Sequence, residues 1–397
     1  MKTRFISKKK PRRVQSPIFR ERLFVLWGGV ILLAVGFGFL FFPLRAYGKQ
    51  PEAIGNGLVY LQLDTPGRSK ITHKPQPLNG GDSTIAEPFI PAGCDALGMY
   101  ASPHGPWLAV DISCEAGGFV QIINVNSGKT VDLDVNLTQD STFLNWAPTG
   151  NEILLRVGNL PDSRIYMIRI NSGGYEQLPV PGNVYDIAIS TNGRRMIYSL
   201  TWGLGYGSET WIADIDGGNA QRVLAEPNHI VAFAHWSPSG KEIAYIRMPD
   251  SNIPFTIGEL WVMGVDGQNP VLLGSADAGH GYRPAWSPDG QQIAFVVREV
   301  ADSGVDTDSE TASYVADQLV SNIYLANIND RKVSRLTQFE GSLTENPVWS
   351  LNGEYIAFST TAGGNGLNVW VFETRNGKLY QVTFGEFARH PTWLSNP

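Results

Sequence analysis

Apolar and polar positions alternate in short runs along most of the chain, and polar turns of one recurring form separate the runs. The clearest copy of this turn is Trp-Ser-Pro-Asp-Gly at residues 286–290. We call the first residue of each copy an anchor residue; the seven anchors are Ala101, Trp146, Ile189, Trp236, Trp286, Trp349 and Trp393. Consecutive anchors are 43 to 50 residues apart, except for one step of 63 residues. A period of this length indicates a repeat architecture.

Each repeat reads as four short strands. The turn is followed by an apolar run such as Ile-Ala-Tyr at 243–245, and later by a third run such as Leu-Trp-Val-Met at 260–263. An Asp-Gly or Asn-Gly turn then leads to a fourth run. These dipeptides suit tight hairpins because both residues tolerate a positive φ. Four antiparallel strands in each unit predict the blades of an all-β fold, the β-propeller.

The two ends of the chain look like parts of a single blade. The last repeat stops after one strand at residues 389–394, and residues 59–72 resemble the outer half of the blade at 323–337. A blade shared by both termini would close the ring and remove exposed sheet edges. Residues 58–397 are therefore predicted to form a seven-bladed propeller. Six blades are the alternative if the unit at Ala101 or the terminal pairing fails.

These turns resemble the W-S-P-D-G repeat of TolB-type, WD40-like (PD40) propellers, which are also related to the propeller domains of prolyl oligopeptidase-like peptidases. Residues 286–295 and 236–245 carry the resemblance most clearly, and weaker copies extend it over roughly residues 58–397. It implies a propeller, an envelope or periplasmic setting and a tendency to bind other proteins. TolB itself has an α/β domain before a six-bladed ring, so TolB's own role is not carried over to this chain.

The N-terminal segment reads as a membrane anchor. Residues 1–22 hold nine Lys or Arg and one acid, and residues 23–44 are free of charge. As a helix, 22 residues would span roughly 33 Å, enough to cross a bilayer core of about 30 Å. The run is too long for a cleaved signal peptide and lacks a small-residue cleavage site. We therefore predict a single-pass, uncleaved signal anchor.

Topology then follows from charge. The positive-inside bias keeps residues 1–22 in the cytoplasm and places a linker, 45–57, and the propeller outside it. The chain after residue 22 has a net charge of −14. We therefore read the basic head as a topology signal and expect no nucleic-acid partner.

The two cysteines agree with export. Cys94 and Cys114 flank a turn at 102–106, and the midpoint between them is residue 104. An antiparallel register would place them opposite each other, within disulfide reach, and an oxidising compartment would close the pair. Two buried free thiols are the alternative, because a bulge in this hairpin would shift the alignment.

Motifs for catalysis or cofactor binding are missing from the sequence. It contains no H-E-x-x-H, G-x-S-x-G, P-loop or G-x-G-x-x-G pattern, so we expect no cofactor and no metal. The better candidate is the mouth of the propeller tunnel, where polar residues stand beside prolines of the inner strands. The predicted binding residues are Asp186, His280, Arg283, Glu345, Asn346, Arg389 and His390. They could form a mixed-charge socket for a peptide terminus or small anion, or simply solvate the tunnel and pair with one another.

The preferred function is a membrane-anchored, extracytoplasmic module that holds a protein or peptide partner in the cell envelope. The alternatives are an enzyme of the lyase or glycosidase type at the tunnel mouth, and an extracytoplasmic ligand sensor. The anchor tryptophans are expected to pack between blades rather than to stack on a ligand. The acidic insertion at 299–317 is expected to be a solvated surface loop, with a partner-binding arm as the alternative.

Overall fold

The anchor turns fold as tight hairpins that are closed by their glycine. The Gly290 N–H donates to the carbonyl of Ser287 at 2.8 Å, and the Gly353 N–H donates to that of Ser350 at 2.9 Å. The Ser287 hydroxyl accepts the N–H of Gln292, where the next strand begins, at 2.9 Å. Both glycines have φ near 70° (69° and 72°), a region that a β-carbon disfavours. The chain therefore reverses directly after each anchor.

In the computed structural model these hairpins form seven four-stranded antiparallel sheets, which contact one another in a closed ring. The structure describes residues 57–65, 68–75, 81–131, 133, 140–251, 257–277, 283–300, 319–385 and 387–394. Within these ranges all of the regular secondary structure is β-strand. The prediction of a seven-bladed, all-β propeller is confirmed.

The blades follow chain order. Blade 7 holds β1 (Leu58–Thr65), β2 (Arg68–Lys74), β3 (Ser83–Ala86) and β28 (Ala388–Trp393). Blade 1 holds β4 (Cys94–Ala101), β5 (Trp107–Cys114), β6 (Gly117–Asn124) and β7 (Lys129–Thr130). Blade 2 holds β8 (Ser141–Trp146), β9 (Glu152–Val157), β10 (Arg164–Arg169) and β11 (Tyr175–Gln177). Blade 3 holds β12 (Val184–Ile189), β13 (Arg195–Thr201), β14 (Ser208–Asp214) and β15 (Gln221–Glu226). Blade 4 holds β16 (His229–Trp236), β17 (Glu242–Pro249), β18 (Ile257–Gly264) and β19 (Val271–Asp277). Blade 5 holds β20 (Ala285–Trp286), β21 (Gln292–Val300), β22 (Leu319–Asn327) and β23 (Val333–Arg335). Blade 6 holds β24 (Thr344–Trp349), β25 (Tyr355–Thr360), β26 (Asn368–Glu373) and β27 (Lys378–Gln381).

Both ends of the chain build blade 7, as predicted. Its sheet order is β28-β1-β2-β3, and Leu58 in β1 lies opposite Trp393 in β28. The N-terminal share is larger than the predicted outer half, since a third N-terminal strand, β3, forms the outer edge. Sequence reasoning missed β3 because it has only four residues and alternates weakly.

The hydrophobic core lies between the blades. Seven clusters of buried residues occur in the described part, and each one joins the facing sides of two neighbouring blades. Three anchor tryptophans also donate an indole hydrogen bond to the inner strand of the preceding blade: Trp146 to the Tyr100 carbonyl (3.1 Å), Trp349 to Ala285 (3.0 Å) and Trp393 to Val348 (3.2 Å). The prediction that the anchor tryptophans pack between blades is confirmed.

The predicted disulfide is present between β4 and β5. Cys94 lies directly opposite Cys114, with their Cα atoms 4.2 Å apart, and the two sulfurs are bonded. The hairpin does contain a bulge, between Ala96 and Gly98. The cysteines still pair, because the turn is wider than expected. Beside the turn Ala101 pairs with Leu108, a register that differs by one residue from that of the cysteine pair. The bulge removes this one-residue difference and places the two cysteines opposite each other.

The ring has two distinct faces. The anchor turns lie on one side, which we call the proximal face, and the loops joining second to third strands and blade to blade lie on the other, the distal face. The Leu394 N–H donates to the Gly57 carbonyl at 3.1 Å on the proximal side. The segment before residue 57 therefore joins the ring at its proximal face.

The predicted segments 1–22 and 23–44, nearly all of the linker 45–57 and most of the acidic insertion lie outside the described residues. Among the residues that are described, no helix is long and apolar enough to cross a membrane.

Candidate functional site: the propeller tunnel

A β-bulge interrupts six of the seven inner strands just before the anchor residue. In those six strands the residue three positions before the anchor lies at or beside this irregularity, and in blade 5 the equivalent residue, Arg283, lies two residues before β20. We call these seven residues the tunnel positions. They are Gly98, Phe143, Asp186, Phe233, Arg283, Asn346 and His390. Phe233, Asn346 and His390 have φ of 57°, 53° and 52°. A bulge changes the direction of its side chain relative to the pleat. At these positions the side chains therefore do not alternate regularly between the two faces of the sheet.

Arg283 extends from blade 5 across the tunnel. Its guanidinium carbon lies 5.9 Å from the ring centroid of Tyr100 in blade 1 and 5.9 Å from that of Phe233 in blade 4. Its Nη2 also donates to the main-chain oxygen of Leu144 in blade 2. One side chain thus contacts three blades besides its own, which is possible only near the ring axis. Arg283 occupies the tunnel at this level, held by two cation–π contacts.

Two buried carboxylates lie within electrostatic reach of this arginine. Asp111 in β5 is 5% exposed; burial raises its pKa to about 7, opposed by a hydrogen bond from the Phe143 N–H and by the charges of Arg156 and Arg283. Asp186 in β12 is 6% exposed, and burial raises its pKa as well, opposed first by Arg283. Arg283 therefore offsets part of the cost of burying two carboxylates.

The main chain of blade 4 completes the surroundings of Asp186. The Ala234 N–H donates to its Oδ2 at 3.1 Å. His235 is next in the chain, and its Nδ1–H donates to the Phe233 carbonyl at 2.7 Å. Burial, reinforced by the charge of Arg283, lowers the pKa of His235 to about 4. His235 is therefore neutral at physiological pH, so the positive charge near Asp186 comes from Arg283.

A second polar group lies where blades 6, 7 and 1 meet. The Asn346 amide donates to Nδ1 of His390 at 3.0 Å, and Nε2–H of His390 donates to the Ala96 carbonyl at 3.2 Å. His390 is 7% exposed, and burial together with the neighbouring Arg389 lowers its pKa to about 3. Arg389 forms a bidentate ion pair with Asp95 of blade 1. This group joins the closing strand to both neighbouring blades.

The predicted site residues thus fall into two groups rather than one. Asp186 and Arg283 belong to the group at the axis, while Asn346, Arg389 and His390 belong to the group at the closing blade. Glu345 is half-buried in β24, where it lies opposite Ser359 of β25. His280 lies outside the described residues. Each of the five grouped residues is paired with a neighbour inside the ring.

Sequence reasoning missed Asp111, Tyr100, Phe233 and His235. Phe233 could have been found by its position, because it lies three residues before Trp236, just as Arg283 lies three residues before Trp286. Asp111 could have been noticed as a single acid inside an apolar second strand, Leu-Ala-Val-Asp-Ile at 108–112. Tyr100 carried no signal, since an aromatic residue beside an anchor is most simply read as core. Within the described residues, no three His, Cys, Asp or Glu side chains are grouped so as to hold a metal ion.

The distal face around the tunnel carries exposed apolar side chains. The large apolar residues that their loops and strand ends place there are each 40 to 70% exposed; they are Leu63, Phe89, Leu97, Trp202, Tyr206, Ile257, Phe384 and Phe387. They divide into a set on blades 3 and 4 and a set between blades 6 and 1. In the second set, the Leu63 N–H donates to the Phe387 carbonyl at 3.2 Å, which fixes these two residues side by side.

Comparison with known proteins supports the architecture. Residues 207–396 match the model of the PD40 family, described as the TolB beta propeller domain. A stretch of 38 residues is 53% identical to the Tol-Pal system protein TolB of Albidiferax ferrireducens, covering 10% of this chain and 9% of that protein. The match thus spans less than a tenth of this relative.

Solved structures resemble the chain at low sequence identity. TolB from Acinetobacter baumannii superimposes with a TM-score of 0.45 at 17% identity, covering 85% of this chain and 82% of that one. A puromycin-hydrolyzing peptidase from Mycobacterium tuberculosis superimposes with a TM-score of 0.55 at 12% identity, covering 85% and 55%. The chain is therefore a seven-bladed β-propeller in which residues 207–396, just under half of its length, match the TolB beta propeller domain.

Proposed function

We propose that this chain is an extracytoplasmic protein- or peptide-interaction module, held at the membrane by residues 23–44. The observation that carries the proposal is the distal face, which exposes several large apolar side chains on ordered loops. Monomeric surfaces rarely gather such residues without a binding role. The TolB-type repeats, which imply an envelope setting and protein partners, point the same way.

The disulfide supports the extracytoplasmic part of this proposal. Disulfides persist in oxidising compartments and are rare in the cytosol. The attachment side of the ring also fits: the chain enters at the proximal face, so an anchor there would leave the distal face directed away from the membrane. The ring would act as a rigid platform, closed by both termini, that presents its loops and tunnel mouth to a partner.

The tunnel residues take two roles in this proposal. Arg389, which also pairs with Asp95, and Glu345 are proposed to lie at the mouth and to contact a partner held on the distal face, together with His280. Asp186, Arg283, Asn346 and His390 are tunnel positions, so we assign them to shaping the floor of this site. A catalytic role would instead need groups whose partners are a substrate rather than neighbouring blades, and this makes the lyase or glycosidase alternative the weaker one.

Site-specific photo-crosslinking in the native envelope tests the proposal. One full-length variant carries the photo-reactive residue at Phe384 on the distal face, and the matched control carries it at Leu351, which is 44% exposed in an anchor turn on the proximal face. We expect discrete protein adducts from position 384 and none of the same size from position 351. Equal adduct patterns from both positions, or none from either, would refute a distal binding face.

Cleavage tests the anchor separately. A protease site is inserted into the linker 45–57 of the full chain in membrane vesicles whose extracytoplasmic side faces outward. Added protease should release the propeller into the soluble fraction, because the linker and ring lie outside while residues 23–44 stay in the bilayer. A propeller that stays protected, or that is soluble before cleavage, would contradict the proposed topology.

A further inference from the structure

The loop between β13 and β14 in blade 3 exposes two aromatic side chains on the distal face. Its sequence is Trp-Gly-Leu-Gly-Tyr-Gly at residues 202–207. Trp202 is 52% exposed and Tyr206 is 70% exposed. Exposed Trp and Tyr of this kind are the residue types that most often carry binding energy at protein interfaces.

Hydrogen bonds at its base hold this loop in a defined shape. The Thr201 N–H donates to the Asn183 carbonyl at 3.2 Å, and the Thr201 hydroxyl donates to the Gly207 carbonyl at 3.3 Å. The Tyr206 N–H donates to the Gly203 carbonyl at 3.3 Å. The two rings are therefore presented by an ordered backbone, which lowers the entropy lost on binding.

Gly207 fixes the loop against blade 4. Its N–H donates to Oδ2 of Asp250 at 2.6 Å, and a β-carbon at this position would collide with the Glu226 carbonyl and lie 2.7 Å from Cα of Pro227. With φ of 69°, this position also requires a residue that tolerates the left-handed region. The aromatic loop is thus built directly onto the segment that carries Glu226 and Asp250.

The surroundings of the loop are acidic. A single arginine, Arg247, is shared by two carboxylates: Nε lies 3.1 Å from Glu226 and Nη1 lies 3.0 Å from Glu259. Glu209 is matched one-to-one by Arg222 at 2.6 Å. Asp250 adds a further carboxylate beside Tyr206. In the distal half of blades 3 and 4, carboxylates therefore outnumber arginines.

From these observations we infer that the aromatic loop, defined as residues 202–207, binds a basic peptide segment through its lysine or arginine side chains. A cation can lie over the exposed face of Trp202 or Tyr206 while a second one pairs with the carboxylates behind them. The net charge of −14 after residue 22 would favour the approach of such a segment. The inference rests on the proposed interaction function and specifies a partner chemistry and a surface for it.

Fluorescence anisotropy with the full-length chain in nanodiscs tests the inference. The probe is a labelled ten-residue peptide of alternating lysine and glycine, and the matched probe has glutamate in place of lysine. We expect the lysine peptide to bind at least tenfold more tightly than the glutamate peptide. Its binding should weaken with added salt, because charged groups on both sides contribute.

Variants locate the binding surface. Trp202→Ser and Tyr206→Ser should each weaken binding of the lysine peptide about tenfold, as expected for hot-spot aromatics. Asp250→Asn retains an oxygen for the Gly207 N–H and should weaken binding about threefold while reducing the salt dependence. Tyr175→Ser is the matched control, because this tyrosine is 48% exposed at the proximal end of the outer strand β11 in blade 2. The affinity of this control variant for the lysine peptide should equal that of the unmodified chain.

Each contrary outcome is distinct. Equal binding of the two peptides, or Trp202→Ser binding like the control, would overturn the inference. Loop-dependent binding of a neutral oligosaccharide such as chitohexaose in place of the lysine peptide would overturn it in favour of a glycan platform. If position 384 still captures a partner while the lysine peptide fails to bind, the interaction function stands and only the assigned chemistry fails.

Discussion

The buried histidine of the closing strand should make the ring sensitive to acid. His390 accepts a hydrogen bond from Asn346 and donates one to Ala96, and its pKa is lowered to about 3 by burial and by Arg389. In the unfolded chain the pKa of histidine is about 6.5. Below pH 6.5 the unfolded state therefore binds a proton that the folded state excludes. By linkage the free energy of unfolding falls as the pH drops from 6.5 towards 3.

The size of this effect follows from the two pKa values. Between pH 6.5 and 3, each pH unit lowers the free energy of unfolding by up to about 1.4 kcal/mol. The change from pH 7 to pH 5 should therefore lower it by about 2 kcal/mol through His390 alone. His235, whose pKa is about 4, acts in the same direction. Asp111 acts in the opposite direction, because its pKa of about 7 lies above that of an unfolded carboxyl. The pH profile of the unmodified chain therefore mixes several groups, and a variant must isolate His390.

His390→Asn provides this isolation. Asn346 occupies the equivalent tunnel position of blade 6 with φ of 53°, close to the 52° of His390, so the backbone accepts asparagine there. At pH 7 the free energy of unfolding of the variant should be about 1–2 kcal/mol lower, because the two hydrogen bonds of His390 are lost. At pH 5 it should be as stable as the unmodified chain or more so, because it avoids the linkage cost. Urea unfolding at pH 7, 6 and 5 measures both curves; a stability difference that stays constant over this range would refute the reasoning.

Three further predictions concern the same ring. Reduction of Cys94–Cys114 should lower the free energy of unfolding by about 2–4 kcal/mol; urea midpoints with and without reductant measure this, and a double serine variant should not respond to the reductant. Trp393→Ala should lower the free energy of unfolding measured by calorimetry by about 3–5 kcal/mol, because this side chain is 4% exposed and hydrogen-bonded to blade 6. A loss below about 1 kcal/mol would contradict its role in closing the ring. Asp111→Asn should gain stability relative to the unmodified chain by about 2 kcal/mol as the pH rises from 5 to 7, since the folded chain keeps Asp111 protonated up to a pH of about 7 whereas the unfolded carboxyl is already ionised; parallel unfolding curves would contradict the raised pKa.

The ring itself could be predicted from the sequence because the turn that closes each hairpin leaves a strong local signal. The Trp-Ser-Pro-Asp-Gly turn has glycine at a positive φ and a serine hydroxyl that caps the next strand, and both residues recur in most copies of the turn. The disulfide could be predicted because hairpin pairing is local. The compensation between the bulge near Leu97 and the wider turn could not be predicted, since neither feature leaves a distinct residue pattern.

The tunnel was harder to predict because its contacts join residues that are far apart in the chain. Arg283 meets Leu144 across a separation of 139 residues, and Arg389 meets Asp95 across 294. No local pattern specifies which acid an arginine will find on the far side of a ring. The predicted residues were in suitable places on or beside the inner strands, yet the length and contacts of each side chain divide them into two groups rather than the single expected socket.

The seven tunnel positions explain how the repeat can stay constant while its interior varies. The hairpin fixes the backbone at each position, but the side chains there include glycine, phenylalanine and charged or polar residues. Gly98 illustrates how they depend on one another, because an added β-carbon would collide with the Tyr100 ring, which in turn packs against Arg283. The smallest side chain in the set thus makes room for the contact of the longest. Within the group at the axis, a substitution at Gly98, Phe233 or Arg283 should therefore act through neighbours on other blades.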